Sequence, residues 1–268
     1  MIINKDCYYA ILEDFKDYKG KIDLIYIDPP FGKGYDFKTK NNKFQDRNYP
    51  LSEYKGEIDV LLNSFDLNDN KINYLKFMYP RLKLMNEYLS DTGSFYLHCD
   101  PTASHYLKVI MDGIFGSNNF INEIVWHYQT GGASKKHFSK KHDVILMYSK
   151  TDKYNFYPNE IMTLRTEKSL KSSRIAQGDD KKYPMDVWTD IQALNAMAKE
   201  RLGYPTQKPE RLLERIIKAS SNEGDIVADF FCGCGTTIYA SQKLGRKWLG
   251  CDINKDAVNL TNNRLLNK

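Results

Sequence analysis

The stretch DIVADFFCGCGTTIYASQKLGRKWLGCDIN, residues 225–254, constrains the fold more than any other. Two short apolar runs, Ile226–Ala228 and Trp248–Cys251, flank a glycine turn and a helical segment. Strands joined through a helix pair in parallel, since antiparallel neighbours need only a hairpin. A third such run is Asp23–Ile27. Short, nearly continuous apolar runs suit strands covered on both faces. Helices fall between them. Leu75, Met78, Leu82, Met85 and Leu89 share one face over Tyr74–Leu89, and PERLLERIIKASSNEG places a proline at a helix start and Gly224 beyond its end. The expected class is α/β, an open and mostly parallel sheet flanked by helices.

In such sheets ligands bind at the carboxyl ends of the strands. Each of the three strands is followed there by an acid: Asp28, Asp229 and Asp252. Gly233 and Gly235 allow close backbone approach, and Thr236 and Thr237 are placed to cap the next helix. An acid ending the following strand, Asp252, suits a ribose diol. The third glycine of a dinucleotide fingerprint is replaced by Ile238, and no phosphate-loop lysine follows, so a nucleoside without a phosphate chain fits better. Cys232, Cys234 and Cys251 lack paired zinc-site spacing, so no metal is expected. His98 and His105 are assigned no catalytic role.

Asp28-Pro29-Pro30-Phe31 suggests a specific chemistry. An exocyclic amine is a weak nucleophile because its lone pair is delocalised into the ring. Two fixed acceptors for its hydrogens free that lone pair. Asp28 offers one oxygen and the Pro29 carbonyl another, and Pro30 has no N–H to compete. Phe31 offers a face for stacking an extruded base.

Composition narrows the partners. The chain has 268 residues and a net charge of +5. Residues 131–201 hold 14 of its 39 Lys/Arg but 9 of its 34 Asp/Glu, so the rest of the chain is balanced. A polyanion partner would explain a basic excess confined to one segment. Its lysines Lys135, Lys136, Lys140 and Lys141 lie in the turn GGASKKHFSKK, between the strand-like runs FINEIVWHY and HDVILMYSK, which fit a hairpin-like extension. Five cysteines without framework spacing suit a reducing cytoplasm. No apolar run approaches the roughly 20 residues of a membrane span, and the acid-bearing N-terminus is unlike a secretory signal. Residues 33–70 are expected to form a mobile loop over the site.

The segments IDPPF, YPTQKPERLLERIIKASSNEGDIVADFFCGCGTT and GCDIN together resemble the S-adenosylmethionine-dependent amino-methyltransferases of DNA, in the motif order of their beta group. The resemblance implies a Rossmann-like methyltransferase fold with a seven-stranded-type sheet. Residues 1–150 and 201–268 would form the catalytic domain, with 151–200 as a target-recognition insertion. It implies methylation of adenine N6 in double-stranded DNA, in a restriction–modification system or as an orphan methylase. A cognate restriction endonuclease and a second copy of the chain are the further partners it raises. Asp28, Pro29, Pro30 and Phe31 would hold the flipped base, with Asp28 also near the cofactor amino group. Asp229, Phe230, Gly233, Gly235, Thr236 and Thr237 would form the methionine side of the cofactor pocket. Asp252 would hold the ribose, Thr206 and Lys208 the carboxylate end, and Asp6 and Cys7 would lie beside the adenine. GSFYLHCDP, residues 93–101, matches the strand beside the target pocket, and HFSKKHDVILMYSK the hairpin lining it. Phe230 stands where the family has proline, and Cys234 where it has serine. The competing readings are cytosine-N4 methylation, an RNA adenine substrate and a catalytically silent DNA-binding subunit. Aspartate at position 28, where the cytosine group more often has serine, favours adenine.

Overall fold

A computed structural model of the chain describes residues 1–31, 36–38, 43–45, 49–130, 132–165 and 180–266. In chain order the strands are β1 (Ile2–Asn4), β2 (Ile22–Ile27), β3 (Asp36–Lys38), β4 (Lys43–Gln45), β5 (Leu89–Cys99), β6 (Phe120–His127), β7 (His142–Ser149), β8 (Thr163–Leu164), β9 (Lys181–Lys182), β10 (Val187–Trp188), β11 (Ile226–Asp229) and β12 (Lys247–Asp252). The helices are α1 (Cys7–Tyr9), α2 (Asp59–Leu62), α3 (Asp69–Tyr88), α4 (Ser104–Phe115), α5 (Glu210–Ser220), α6 (Thr236–Lys243) and α7 (Lys255–Leu266).

Eight strands form one sheet in the order β1-β12-β11-β2-β5-β7-β6-β10. The pairs from β1 through β5 are all parallel, as is β6 with β10, while β7 runs antiparallel to both its neighbours. The three apolar runs read from the sequence are β2, β11 and β12. Their side chains are buried on both faces, as a parallel interior requires. One face carries Ile25, Ile27, Phe95 and Leu97 under the buried side of α3 and α4. The other carries Leu24, Tyr26 and Val227 under Leu212, Leu213, Ile216 and Ile217 of α5.

The topology locates the ligand crevice. From β2 the chain proceeds to β5 on one side, and from β11 to β12 on the other, although β2 and β11 are direct neighbours. The connecting segments therefore part above this pair, and a crevice opens at the carboxyl ends of β2 and β11. Asp28 and Asp229 stand on its two lips.

Several expectations are corrected. β6 and β7 do pair as a hairpin, but they do not form an extension: β7 lies between β5 and β6 in the main sheet. Seven of its eight residues are buried, which a hairpin with one exposed face would not allow. The 151–200 segment is not wholly separate either, since β10 joins the sheet beside β6 and Trp188 and Ile191 enter the core. Residues 166–179 of that segment lie outside the described residues. So do residues 33–35, 39–42 and 46–48 of the expected 33–70 loop. Its described part from Tyr49 onward is anchored: Tyr49 packs on Tyr74 and Phe77, Leu62 is buried, and α3 already begins at Asp69. Pro209 is the cap of α5, not its first residue. Among the described residues no helix is long and apolar enough to cross a membrane.

Candidate active site

β2 delivers Asp28 directly from its last residue, Ile27. One carboxylate oxygen, Oδ2, is taken by the Lys208 ammonium in a short ion pair. The other, Oδ1, is buried and has no hydrogen-bond partner. A buried acceptor without a donor is costly, and such atoms persist chiefly where a ligand satisfies them. The stiffness of the following turn comes from Pro29, which is buried, and Pro30, which is exposed. Phe31 lies half-buried on the far side, its ring 5.6 Å from the Lys208 ammonium.

Phe31 does not stand alone. Its ring stacks on His98 of β5, with centroids 6.2 Å apart and planes 26° apart. His98 is completely buried. Its Nδ1 meets the Tyr26 hydroxyl at 2.8 Å, its Nε2 meets Asp143 Oδ2 at 3.2 Å, and the Tyr128 hydroxyl donates to Asp143 Oδ1 at 3.1 Å. Burial would raise the Asp143 carboxyl, but His98, the Lys208 charge and the Tyr128 hydrogen bond together outweigh it and hold its pKa below the usual value. An ionised Asp143 needs a donor, which puts a proton on His98 Nε2. Burial keeps Tyr26 protonated, so its hydroxyl can donate to Nδ1. Sequence reasoning gave His98 no role. The structure makes it the floor beneath Phe31.

The glycine loop is built from β11 into α6. Asp229 is 3% exposed and accepts from Phe231 N at 3.0 Å and from the Thr237 hydroxyl at 2.5 Å. Burial pushes its pKa up to about 7, and the nearby Asp28 and Asp252 add to the rise. Thr236 and Thr237 do not cap α6 as expected. The cap is Gly235, and Thr236 instead accepts a hydrogen bond from Arg264. Gly233 sits under the Tyr204 ring, where a Cβ would lie 3.3 Å from Cε1. Gly235 does not line the cavity. Its φ is +73°, and a Cβ there would fall 2.2 Å from Thr261 Cγ2, so this glycine serves the packing of α7. Phe230, in the family's proline position, is a core residue packed on Phe15 at 5.8 Å.

β12 delivers Asp252. Both its oxygens accept backbone hydrogens, from Gly233 and Asn254, each at 2.8 Å, which leaves the second lone pair of each for a ligand. Burial raises its pKa. Asp6 caps α1 through Tyr8 N, and both its oxygens also accept from Arg81, each at 3.0 Å. Cys7 is buried beside it, and burial pushes its thiol up. The buried thiols are inert packing, and no metal-holding cluster occurs among the described residues.

One cavity joins these groups. It runs from Asp6 and Cys7 past Asp252, Gly233 and Asp229 to Asp28 and Phe31, with Thr206 and Lys208 on its wall. Phe230, Pro29, Pro30, Thr236 and Thr237 also line it, so that of the residues expected there from the sequence Gly235 is missing. Tyr204 and Tyr49 also line it and were not foreseen. The only signal for Tyr204 was its place two residues before Thr206. Lys135, Lys136, Lys140 and Lys141 lie outside the cavity. The first two and Lys140 are exposed, while Lys141 is half-buried and braces its own loop through the Gln129 and Thr130 carbonyls.

Three buried or half-buried carboxylates around an apolar-walled cavity favour a ligand that carries positive charge. The comparisons agree in kind. Residues 22–263 match the DNA methylase family N6_N4_Mtase. The type II methyltransferase M.HpaI of Haemophilus parainfluenzae is 32% identical over 92% of this chain and 69% of its own length. The DNA adenine methyltransferase YhdJ of Escherichia coli K12 is 28% identical over 91% of this chain and 76% of its own. Among solved structures, the cytosine-N4-specific PvuII DNA methyltransferase superposes with a TM-score of 0.68 at 15% identity, over 100% of this chain and 86% of that one. The M1.HpyAVI–SAM complex does so at 0.61 and 18%, over 100% and 99%. At these identities the superpositions speak for the fold, which is that of the Rossmann-like methyltransferases. By the extent of its sequence match, the chain belongs to the DNA methylase family.

Proposed function

We propose that the chain transfers a methyl group from S-adenosylmethionine to adenine N6 of a base extruded from double-stranded DNA. The observation that carries this reading is the buried, unpartnered Asp28 Oδ1, on a residue that lines one cavity together with Phe31. Oδ1 accepts one amine hydrogen and the Pro29 carbonyl the other. The nitrogen lone pair is thereby freed from the ring, and no covalent enzyme intermediate is needed. Phe31, packed against His98, stacks the base.

The cofactor fits what is present. When bound, S-adenosylmethionine supplies an electrophilic methyl on a sulfonium beside an ammonium, and its charge would offset the mutual repulsion of Asp28, Asp229 and Asp252. Asp252 accepts from the ribose hydroxyls, and Asp6 and Cys7 lie beside the adenine. Asp229, Gly233 and Thr237 form the methionine side. Thr206 and the Lys208 backbone meet the carboxylate end, since the Lys208 ammonium is engaged by Asp28.

Adenine is favoured over cytosine by aspartate at position 28, and YhdJ, named as an adenine enzyme, supports it. The relatives named as type II methyltransferases support a place in a cytoplasmic restriction–modification system or as an orphan methylase, with a cognate endonuclease as partner. On this reading residues 151–200 supply target recognition. The test is transfer of tritiated methyl from the cofactor to unmethylated DNA, followed by digestion to nucleosides. Label in N6-methyladenine is expected. Label in N4-methylcytosine would replace adenine by cytosine, and label only with RNA would replace DNA.

A further inference from the structure

The methyltransferase reading leaves one prominent feature unused. Phe138 is 99% exposed, the most exposed large apolar side chain among the described residues. A single exposed hydrophobe is ordinary, but its setting is not. It lies in the 128–141 connection between β6 and β7, beside Lys135, Lys136 and Lys140, all exposed. The tip is shaped rather than loose. The Ser139 hydroxyl accepts from Ser134 N at 3.2 Å, closing a turn over Lys135–Phe138, and the Ser134 hydroxyl accepts from Lys136 N at 3.2 Å. At the base of the connection, Lys141 donates to the Gln129 and Thr130 carbonyls, at 3.3 and 2.9 Å.

The stem of this connection belongs to the target side of the site. β5 ends at the carboxyl edge of the sheet. Because β7 runs antiparallel to β5, and β6 antiparallel to β7, both ends of the 128–141 connection emerge at that same edge. Tyr128 and Asp143, its two feet, are hydrogen-bonded to each other, and Asp143 is bonded to His98, on which Phe31 stacks. A flat apolar ring within a lysine-rich turn is therefore tied, through its feet, to the place where the extruded base is received.

Extruding a base leaves a gap in the stack, and apolar side chains inserted between base steps offset the lost stacking. Aromatic rings do so without regard to sequence, because every base has a π-face. We propose that the 132–141 turn is a duplex-DNA wedge in which Phe138 fills the position vacated by the target base while Lys135, Lys136 and Lys140 contact the flanking phosphates. The proposal rests on the DNA methyltransferase reading and adds to it the group that holds the duplex open.

The experiment compares single-turnover methylation of two duplexes that carry the recognition site found by sequencing. In one the target base faces its normal partner, and in the other an abasic position, which removes the pairing that must be broken. Phe138→Ala should slow methylation of the paired duplex at least tenfold and of the abasic duplex less than about twofold, and Phe138→Trp should restore the paired rate. Equal slowing of both duplexes, or no slowing of either, would overturn the wedge while leaving the methyltransferase reading intact. Failure of the unsubstituted protein to methylate either duplex would overturn both.

Discussion

Lys208 reaches across 180 residues of sequence to hold one oxygen of Asp28 and leaves the other buried without a partner. The carboxylate is thus fixed in orientation and kept half available, which is what preorganised acceptance of one amine hydrogen requires. Lys208→Met should lower the turnover number by tenfold or more while changing cofactor affinity less than about threefold. A loss confined to cofactor binding, measured by calorimetry, would return the Lys208 ammonium to the cofactor carboxylate.

Asp229 predicts a pH dependence of cofactor binding. Its pKa is raised from the ordinary 3.8 to about 7, chiefly by burial. A cation bound nearby favours the ionised form, so binding below that value expels a proton. Affinity should therefore rise with pH up to about 7, by no more than tenfold per pH unit, and level off above it. Asp229→Asn should flatten the slope. The same shift implies that the contribution of this group to stability, full below about pH 4, is lost as pH rises towards 7. Titration calorimetry and thermal unfolding across pH 5–8 read both effects.

Gly235 is expected to be intolerant for reasons of packing. Gly235→Ala places a Cβ 2.2 Å from Thr261 Cγ2 on a backbone with φ of +73°. Overpacking and left-handed strain together should cost about 3 kcal/mol of folding stability. The additional change Thr261→Ala should recover part of it in denaturant unfolding. An unshifted midpoint in the single variant would contradict this reading.

Asp143→Asn tests the floor beneath Phe31. It removes the charge that orients His98 without changing side-chain volume. Methyl transfer should slow about tenfold while cofactor affinity stays unchanged, because the network lies on the target side. A matching loss of cofactor affinity would indicate a general structural defect.

The sequence revealed those parts of the site whose chemistry is local. The acids Asp28, Asp229 and Asp252 each follow directly from an apolar strand, and parallel pairing brings such ends together. Contacts set by register stayed hidden. His98 meets Tyr26 and Asp143 only because β5 lies between β2 and β7, and no spacing in the chain encodes that order. The sequence around β7 reads as a hairpin extension because an apolar strand beside a polar turn looks the same there as in a sheet interior. The distinguishing mark was the burial of both faces of β7, visible as the unbroken run Val144–Tyr148. Gly235 reads as a cofactor contact because close approach favours glycine whether the neighbour is a ligand or Thr261. Arg81, completely buried and bonded to Asp6, gave no sign in a helix otherwise read by its apolar face.

On the proposed mechanism, Asp28 makes an amine of a DNA base reactive toward the methyl donor. Single-molecule sequencing of DNA from cells expressing the chain, or its Asp28→Ala variant, tests it most directly. N6-methyladenine is expected at one recurring sequence with the parent chain and none with the variant, while the purified variant still binds cofactor. Undiminished methylation by Asp28→Ala would contradict it.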